Sequence, residues 1–260
     1  MSAPVFFAEA ADLGAYDAGA AYLLDGAEGR HAGVVQRRGP GERVDVVDGA
    51  GTRLRCEVSA ADGATVTLVV VERVVEPRPD VVLTLVQALA KGDRDELAIE
   101  AATEVGADAV VPWQAERSIV VWRGDRAARS QARWRATVRA ATKQARRARV
   151  PDVADAVTTR ALAARAREVV AGGGAVVVLH EEATLPLADV ALPAPGTGDG
   201  APALLVVVGP EGGISAAELE ALTDAGAVPA RLGPHVLRTS TAGPVAVALL
   251  SERLGRWACA

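Results

Sequence analysis

A chain of 260 residues, half of them hydrophobic, is long enough for one large domain or two modest ones around a packed core. Its net charge of −5 excludes a uniformly basic nucleic-acid binder, and no apolar run approaches the roughly 18 residues of a membrane span. Two distant cysteines, Cys56 and Cys259, frame no disulfide scaffold and suit a reducing cytoplasm, and Met1–Pro4 opens no secretory signal.

Residues 1–75 read as β-rich with one helical turn. Arg43–Val47 and Thr52–Val58 flank Asp48-Gly49-Ala50-Gly51 as a hairpin, and Thr65–Val75 follows the Asp62-Gly63 turn as a third strand. His31–Arg38 is expected to be helical, with Val34 and Val35 inward and Arg37 and Arg38 outward. Short strands without room for crossover helices suggest a small barrel. Residues 76–80, Glu-Pro-Arg-Pro-Asp, read as a stiff, exposed connector between domains.

From residue 81 to 260 the rhythm changes. Strands are expected at Val81–Val86, Ala109–Pro112, Val153–Val157, Ala175–His180 and Leu204–Val208. Helices are expected near Arg94–Val105, Ser130–Arg147, Arg160–Val170, Ser215–Ala225 and Pro244–Trp257. This alternation implies an α/β domain with a mainly parallel sheet and helices on both faces. Leu192–Pro202 reads as a flexible surface loop.

Charge is unevenly spread. Between Arg117 and Arg149 there are eleven basic residues and one acid, Asp125. Such a stretch inside an acidic chain is the footprint of a polyanion contact, or a solvated helical face. On a helix, Arg135, Arg139, Lys143 and Arg147 follow i, i+4 spacing and share a face, while Trp134, Val138, Ala141 and Ala145 form the inward stripe. Arg37 and Arg38 would extend the positive track, and phosphate contacts would give salt-dependent affinity.

Two segments could carry chemistry. Gly209-Pro210-Glu211-Gly212-Gly213 follows the strand Leu204–Val208, and Ser215 with Glu218 forms a capping box for the next helix. The tips of parallel strands are the usual ligand crevice of open α/β sheets. The segment lacks the ending of a P-loop and the spacing of a dinucleotide fingerprint. Taken alone, it is also compatible with a plain strand-to-helix turn. Leu232–Ala242 (LGPHVLRTSTA) places a Gly-Pro turn, an apolar Leu237 and the polar run Arg238–Thr241 before the last helix, with Ser240 or Thr241 as N-cap. No zinc or nucleophile-elbow motif is present, and His31, His180 and His235 are scattered.

GPEGG-I-S followed by LGPHVLRTSTA resembles the paired cofactor motifs of SPOUT methyltransferases, and in closer detail the ribosomal RNA small subunit methyltransferase E family. The segments QALAKGDRDELAIEAATEVGADAVVPWQAERSIV, RWRATVRAATKQARRARVP and HAGVVQRRGPGERVDVVDGAG carry the same resemblance, which spans nearly the whole chain. It implies a PUA-like β-barrel RNA-binding domain over 1–75. It also implies a SPOUT methyltransferase domain over 81–260 with a C-terminal trefoil knot. The implied activity is transfer of a methyl group from S-adenosyl-L-methionine to N3 of one uridine in 16S ribosomal RNA, naked or in the assembled small subunit. The implied protein is a cytoplasmic homodimer without metal. Carried onto this chain, Leu179, His180, Gly209, Pro210, Glu211, Gly212, Gly213, Leu232, Gly233, Leu237, Arg238, Thr239 and Ser240 would hold the cofactor, largely through backbone groups. Arg37, Arg38, Lys91, Arg117, Arg135, Arg139, Lys143, Arg146 and Arg147 would contact RNA.

The sulfonium is already activated, so positioning is the main requirement, worth ~7–11 kcal/mol at best. N3 must also lose a proton. Glu211 is the candidate base and Arg238 the candidate stabiliser of negative charge on the uracil carbonyls. Three positions depart from the family: His235 where Arg is frequent, Ser240 where Glu is frequent, and Lys143 in place of a Glu before Gln144. Two other activities share the fold, a non-catalytic RNA-binding or ribosome-assembly factor and a knotted ribose 2′-O-methyltransferase.

Overall fold

The structure, a computed structural model, describes residues 3–8, 12–196 and 198–258; Cys259 therefore lies outside the described residues. The chain forms two compact units. The first comprises residues 1–78 and 142–150, and the second 79–141 and 151–260.

In the first unit, β1 (Val5–Phe7), β2 (Ala21–Leu24), β3 (Arg43–Val47), β4 (Thr52–Asp62) and β5 (Thr65–Val75) make a sheet of order β1-β3-β4-β5-β2. β1 and β3 are parallel and the other pairs antiparallel. The β3–β4 hairpin holds its register because Asp48 Oδ1 accepts from Ala50 N (2.7 Å) and Thr52 N (2.9 Å), a carboxylate closing the loop on itself. Alternate residues of the strands, among them Val44, Val46, Leu54, Val66 and Leu68, pack with Phe6 and Leu24 into one core. Cys56 belongs to it, and burial pushes its thiol up to about 12, so it carries no thiolate at neutral pH.

The helical turn differs from expectation. α1 (Gly26–Arg30) runs on into a wider, π-type turn over His31–Val35, and Val34 and Val35 are exposed. The inward face is instead Gly29, Ala32 and Gly33. A Cβ on either glycine would strike a backbone carbonyl, Ala64 O at Gly29 and Gly63 O at Gly33. The helix therefore approaches the β4–β5 turn through its smallest residues, and the valines take the opposite side. Arg37 is exposed in a left-handed conformation (φ 52°), and Arg38 pairs with Glu42 at 2.8 Å.

Residues 76–78 are tethered in this unit. Glu76 accepts from Arg53 at 2.8 Å, and Arg149 sends its guanidinium to the carbonyls of Ala50, Glu76 and Pro77. Val150 N donates to Gly49 O at 2.9 Å, and Ala148 is buried with Val5, Phe7 and Val47. Gly51 sits at φ 114°, and a side chain there would occupy the place of the Arg149 guanidinium.

The second unit contains β6 (Val82–Ala88), α2 (Arg94–Glu104), β7 (Ala109–Gln114), α3 (Asp125–Gln144), β8 (Asp152–Val153), β9 (Val157–Thr158), α4 (Thr159–Ala171), β10 (Ala175–Leu179), β11 (Ala203–Val208), α5 (Ala216–Thr223), β12 (Val228–Ala230) and α6 (Thr239–Arg253). The last turn of α3 is grouped with the first unit. The strands form a parallel sheet of order β12-β10-β11-β6-β7-β8, with β9 also on β7. Alternation along the strands decides the faces. Val86, Val111, Val176, Val178, Leu205 and Val207 pack under α4 and α5, whereas Leu85 and Gln87 meet α6 at Gly243. Among the described residues no helix is long and apolar enough to cross a membrane.

Four elements depart from the sequence reading, and one is α3, which runs over Asp125–Gln144 where Ser130–Arg147 was expected. The expected strand Val153–Val157 is two short ones, β8 and β9. β12 was not expected, because three residues around Pro229 carry no visible period. α6 begins at Thr239 rather than Pro244, which lies inside the helix, and its N-cap is Arg238 instead of Ser240 or Thr241. In the expected surface loop, Gly196 N donates to Asp80 O at 2.8 Å.

Candidate active site

The carboxyl tips of β10, β11 and β6 lie side by side, and each continues into a loop. The loop after β11 is a tight turn in which Gly213, at φ 72°, donates its N–H to Pro210 O at 2.9 Å. A β-branched residue would be strained there. The turn ends at Ser215, whose hydroxyl accepts from Glu218 N (3.3 Å) while Glu218 Oε2 accepts from Ser215 N (3.2 Å), the expected capping box.

Glu218 does more than cap. Its carboxylate is 4% exposed and its second oxygen accepts from Glu116 N (2.8 Å) and Thr159 Oγ1 (2.7 Å). One buried carboxylate thus joins the start of α5 to the loop after β7 and to the start of α4. Ser215 Oγ donates in turn to Glu116 Oε2 at 2.6 Å.

The second motif loop, Arg231–Arg238, leads from β12 into α6. With Leu179, His180 and Glu181 after β10 it walls a cleft of about 140 Å³, to which Leu232, Gly233 and Leu237 contribute. This is below the ~300 Å³ of a site that encloses its ligand, so an occupant would lie partly open. A Cβ at Gly233 would meet nothing within 4 Å, so the backbone there is bare on the open side. His180 N donates to Ala230 O at 3.0 Å, pinning the floor to β12. Arg238 is exposed at the N-cap of α6, and Ser240 is half-buried in its first turn; neither lines the cleft.

The two loops are joined at one atom. Thr239 Oγ1 donates to Gly209 O at 2.7 Å and accepts from Gln87 Nε2 at 2.8 Å. Gln87 is fully buried, donates also to Ala88 O (3.2 Å), and leaves Oε1 without a partner. It is the joint that the sequence reading missed, although a lone amide in an apolar strand is a visible signal.

Glu211 faces away from the cleft. Its carboxylate accepts from Arg94 Nη1 (2.9 Å) and Lys91 N (3.3 Å), fastening the glycine turn to the loop after β6. Held there, the carboxylate is outside the lining of the cleft, so this geometry argues against Glu211 as base. Arg117 likewise donates to Gly212 O at 2.9 Å. Lys91 is exposed at the tip of the loop after β6.

The basic segment is less uniform than its spacing suggests. Trp134, Val138 and Ala141 are buried and Arg135 and Arg139 exposed, as the stripe requires. Lys143 is not on that exposed face: its ammonium lies 2.5 Å from Glu28, 3.4 Å from His31 Nδ1 and 4.9 Å from the Phe6 ring centre. Arg146 and Arg147 lie beyond the helix. Arg146 takes a left-handed φ of 58°, and Arg147 N closes on Thr142 O at 3.0 Å. The i, i+4 face therefore ends at Arg139. Lys143→Ala is expected to cost about 2 kcal/mol of stability in urea unfolding, because Glu28 loses its partner. It should leave the salt dependence of any polyanion contact by this helix unchanged; a shallower slope would return Lys143 to the exposed face of Arg135 and Arg139.

The fold and the paired loops define a class. Residues 77–251 match the RNA methyltransferase domain family. The ribosomal RNA small subunit methyltransferase E of Mycobacterium bovis is 49% identical over 93% of this chain and 90% of its own length. That of Bacillus subtilis is 32% identical, covering 88% and 89%. In structure, the ribosomal RNA small subunit methyltransferase E from Neisseria gonorrhoeae bound to S-adenosyl methionine superposes with a TM-score of 0.80 at 24% identity, covering 97% and 98%. The chain belongs to the ribosomal RNA small subunit methyltransferase E family.

Proposed function

We propose that this protein transfers a methyl group from S-adenosylmethionine to N3 of a uridine in the 16S RNA of the small ribosomal subunit. Membership of the family supports an S-adenosylmethionine-dependent ribosomal RNA methyltransferase. The observation that carries the site is the Thr239–Gly209 hydrogen bond, which sets the glycine turn beside the loop Leu232–Leu237 at neighbouring strand tips.

The residues present fit the cofactor. Leu179, Leu232 and Leu237 offer apolar sides to a flat ring, and bare backbone at Gly233 offers amide and carbonyl groups; the Gly209–Gly213 turn, tied to this loop through Thr239, would take the far end of the ligand. The cofactor brings an activated methyl group. The protein contributes placement, holding the turn through Glu211, Arg117 and Thr239 so that ligand and acceptor meet at fixed distance.

On this reading Arg37, Arg38, Arg135 and Arg139 contact RNA phosphates, and the N-terminal sheet is a PUA-like barrel that helps to fix register. The mainly antiparallel order β1-β3-β4-β5-β2 is compatible with such a barrel. The C-terminal segment forms a trefoil knot, a form supported by the path of the chain from β12 at the sheet edge, across the tips of β10 and β11, to α6 over β6. A homodimer acting in the cytoplasm completes the proposal. Incubation with labelled cofactor and unmethylated small subunits, followed by nucleoside analysis, should yield N3-methyluridine. Label in a ribose 2′-O-methyl group, or no label, would overturn the reading.

A further inference from the structure

The tips of β6 and β7 carry a second cavity, of about 430 Å³, apart from the cleft beside β10. Its volume is within the ~300–1,000 Å³ of small-ligand sites. Its walls are the loop after β6, the first turn of α2, the loop after β7 and the first half of α3. The loop after β6, the start of α2 and the loop after β7 also grip the glycine turn, through Lys91 N and Arg94 on Glu211 and through Arg117 on Gly212. The cavity and the turn are therefore held by the same pieces of chain.

The chemistry of the lining is specific. Trp122 stands edge-on to the buried Trp134, with ring centres 5.4 Å apart, and is itself partly exposed. Arg133 is oriented by ion pairs to Glu96 and to Asp93 (3.6 Å). Asp95 is 5% exposed. Its Oδ1 accepts from Glu96 N at 3.0 Å, but Oδ2 has only a long contact of 3.4 Å from Ala90 N. Burial holds this carboxyl above the ordinary carboxylate range, against the pull of the backbone N–H groups of Ala90, Glu96 and Asp95 itself and of Arg133. The charged groups sharing the cavity with it are Glu96 and Asp93 from its own turn, Lys91 from the loop, and Arg126 and Arg133 from α3.

We propose that this cavity receives the uracil to be methylated, with Trp122 stacked on the ring and Asp95 accepting the N3 hydrogen. The proposal rests on the uridine-N3 reading above. Uracil offers at N3 one N–H between two carbonyl oxygens, which suits an ionised acceptor with a guanidinium nearby. Cytosine offers a lone pair at N3 and is repelled by the same carboxylate. A flipped pyrimidine requires an aromatic platform and an edge to read, and both are present. In the transfer, N3 bonds to the methyl carbon as the C–S bond breaks, the C–S electron pair goes to sulfur, and the N3 proton goes to Asp95. A carboxylate whose pKa lies above the usual value is the stronger base for that proton, provided the pH keeps it ionised.

The test uses the full chain with Asp95→Asn and Trp122→Ala. Cofactor affinity is measured by calorimetry, methyl transfer on unmethylated small subunits, and binding of short oligouridylate and oligocytidylate by tryptophan fluorescence without cofactor. Asp95→Asn should lower kcat on the order of 100-fold or more. It should also remove the acid limb of the pH–rate profile, abolish the preference for oligouridylate, and leave cofactor affinity within twofold. Trp122→Ala should weaken oligouridylate binding about tenfold. Wild-type transfer to N3 with both variants at wild-type rate and affinity would remove the cavity and leave the uridine-N3 reading standing. Transfer by the wild-type protein to another position would remove both.

Discussion

Gly212→Val is expected to weaken S-adenosylmethionine binding by about a hundredfold, roughly 2.7 kcal/mol, while the melting temperature stays within a few degrees. A Cβ at Gly212 would lie 3.0 Å from Arg117 Cβ and 3.5 Å from Arg117 O. The first of these atoms cannot rotate away as the end of a flexible side chain can. The two γ-carbons of valine would then break the hydrogen bond from Arg117 to Gly212 O and move the turn. The strand before the turn and the capped helix after it are fixed independently, so the displacement stays in the loop. Gly212→Ala should show a smaller loss in the same direction. Isothermal titration alongside calorimetric melting separates the two effects, and unchanged affinity would show that the turn does not line the cofactor.

Glu218→Ala should produce the opposite pattern, a large loss of stability. The carboxylate is buried and takes hydrogen bonds from Glu116 N, Thr159 Oγ1 and Ser215 N. Removing it strands these donors, at ~1–3 kcal/mol each where water cannot reach them. A total of about 4 kcal/mol corresponds to a fall in Tm of roughly 10 °C for a unit of this size. Glu218→Gln should lose about half as much. Its amide oxygen can still accept from Glu116 and Thr159, but its NH₂ group would face the Ser215 N–H. A change below about 3 °C in scanning calorimetry for the alanine variant would show that the three elements are held together elsewhere.

The contrast between these residues explains what could be read in the chain. Runs such as Leu204–Val208 announce buried parallel strands, and Ser215 with Glu218 announces a helix start, because each signal is local. The two loop motifs, Gly209–Gly213 and Leu232–Ala242, were visible for the same reason. Contacts between distant segments were not. Nothing near Glu211 points to Arg94, and nothing near Lys143 points to Glu28. A helical wheel placed Lys143 with Arg139 on one exposed face, but a half-buried carboxylate from far away in sequence, Glu28, claimed it. Val34 and Val35 misled because hydrophobicity was allowed to choose the inward face, whereas backbone approach at Gly29 and Gly33 chose it. Pro244 was taken as a helix start through its preference for first turns, although one free carbonyl inside a longer helix is a tolerable loss.

The Arg149 clasp has a consequence for biosynthesis. Ala50, Glu76 and Pro77 present their carbonyls to a side chain that is translated some seventy residues after Pro77. At ~5–20 residues per second, the nascent N-terminal sheet waits several seconds for the segment that closes it. During that interval the apolar surface of Val5, Phe7 and Val47, covered by Ala148 in the finished protein, is open to chaperones.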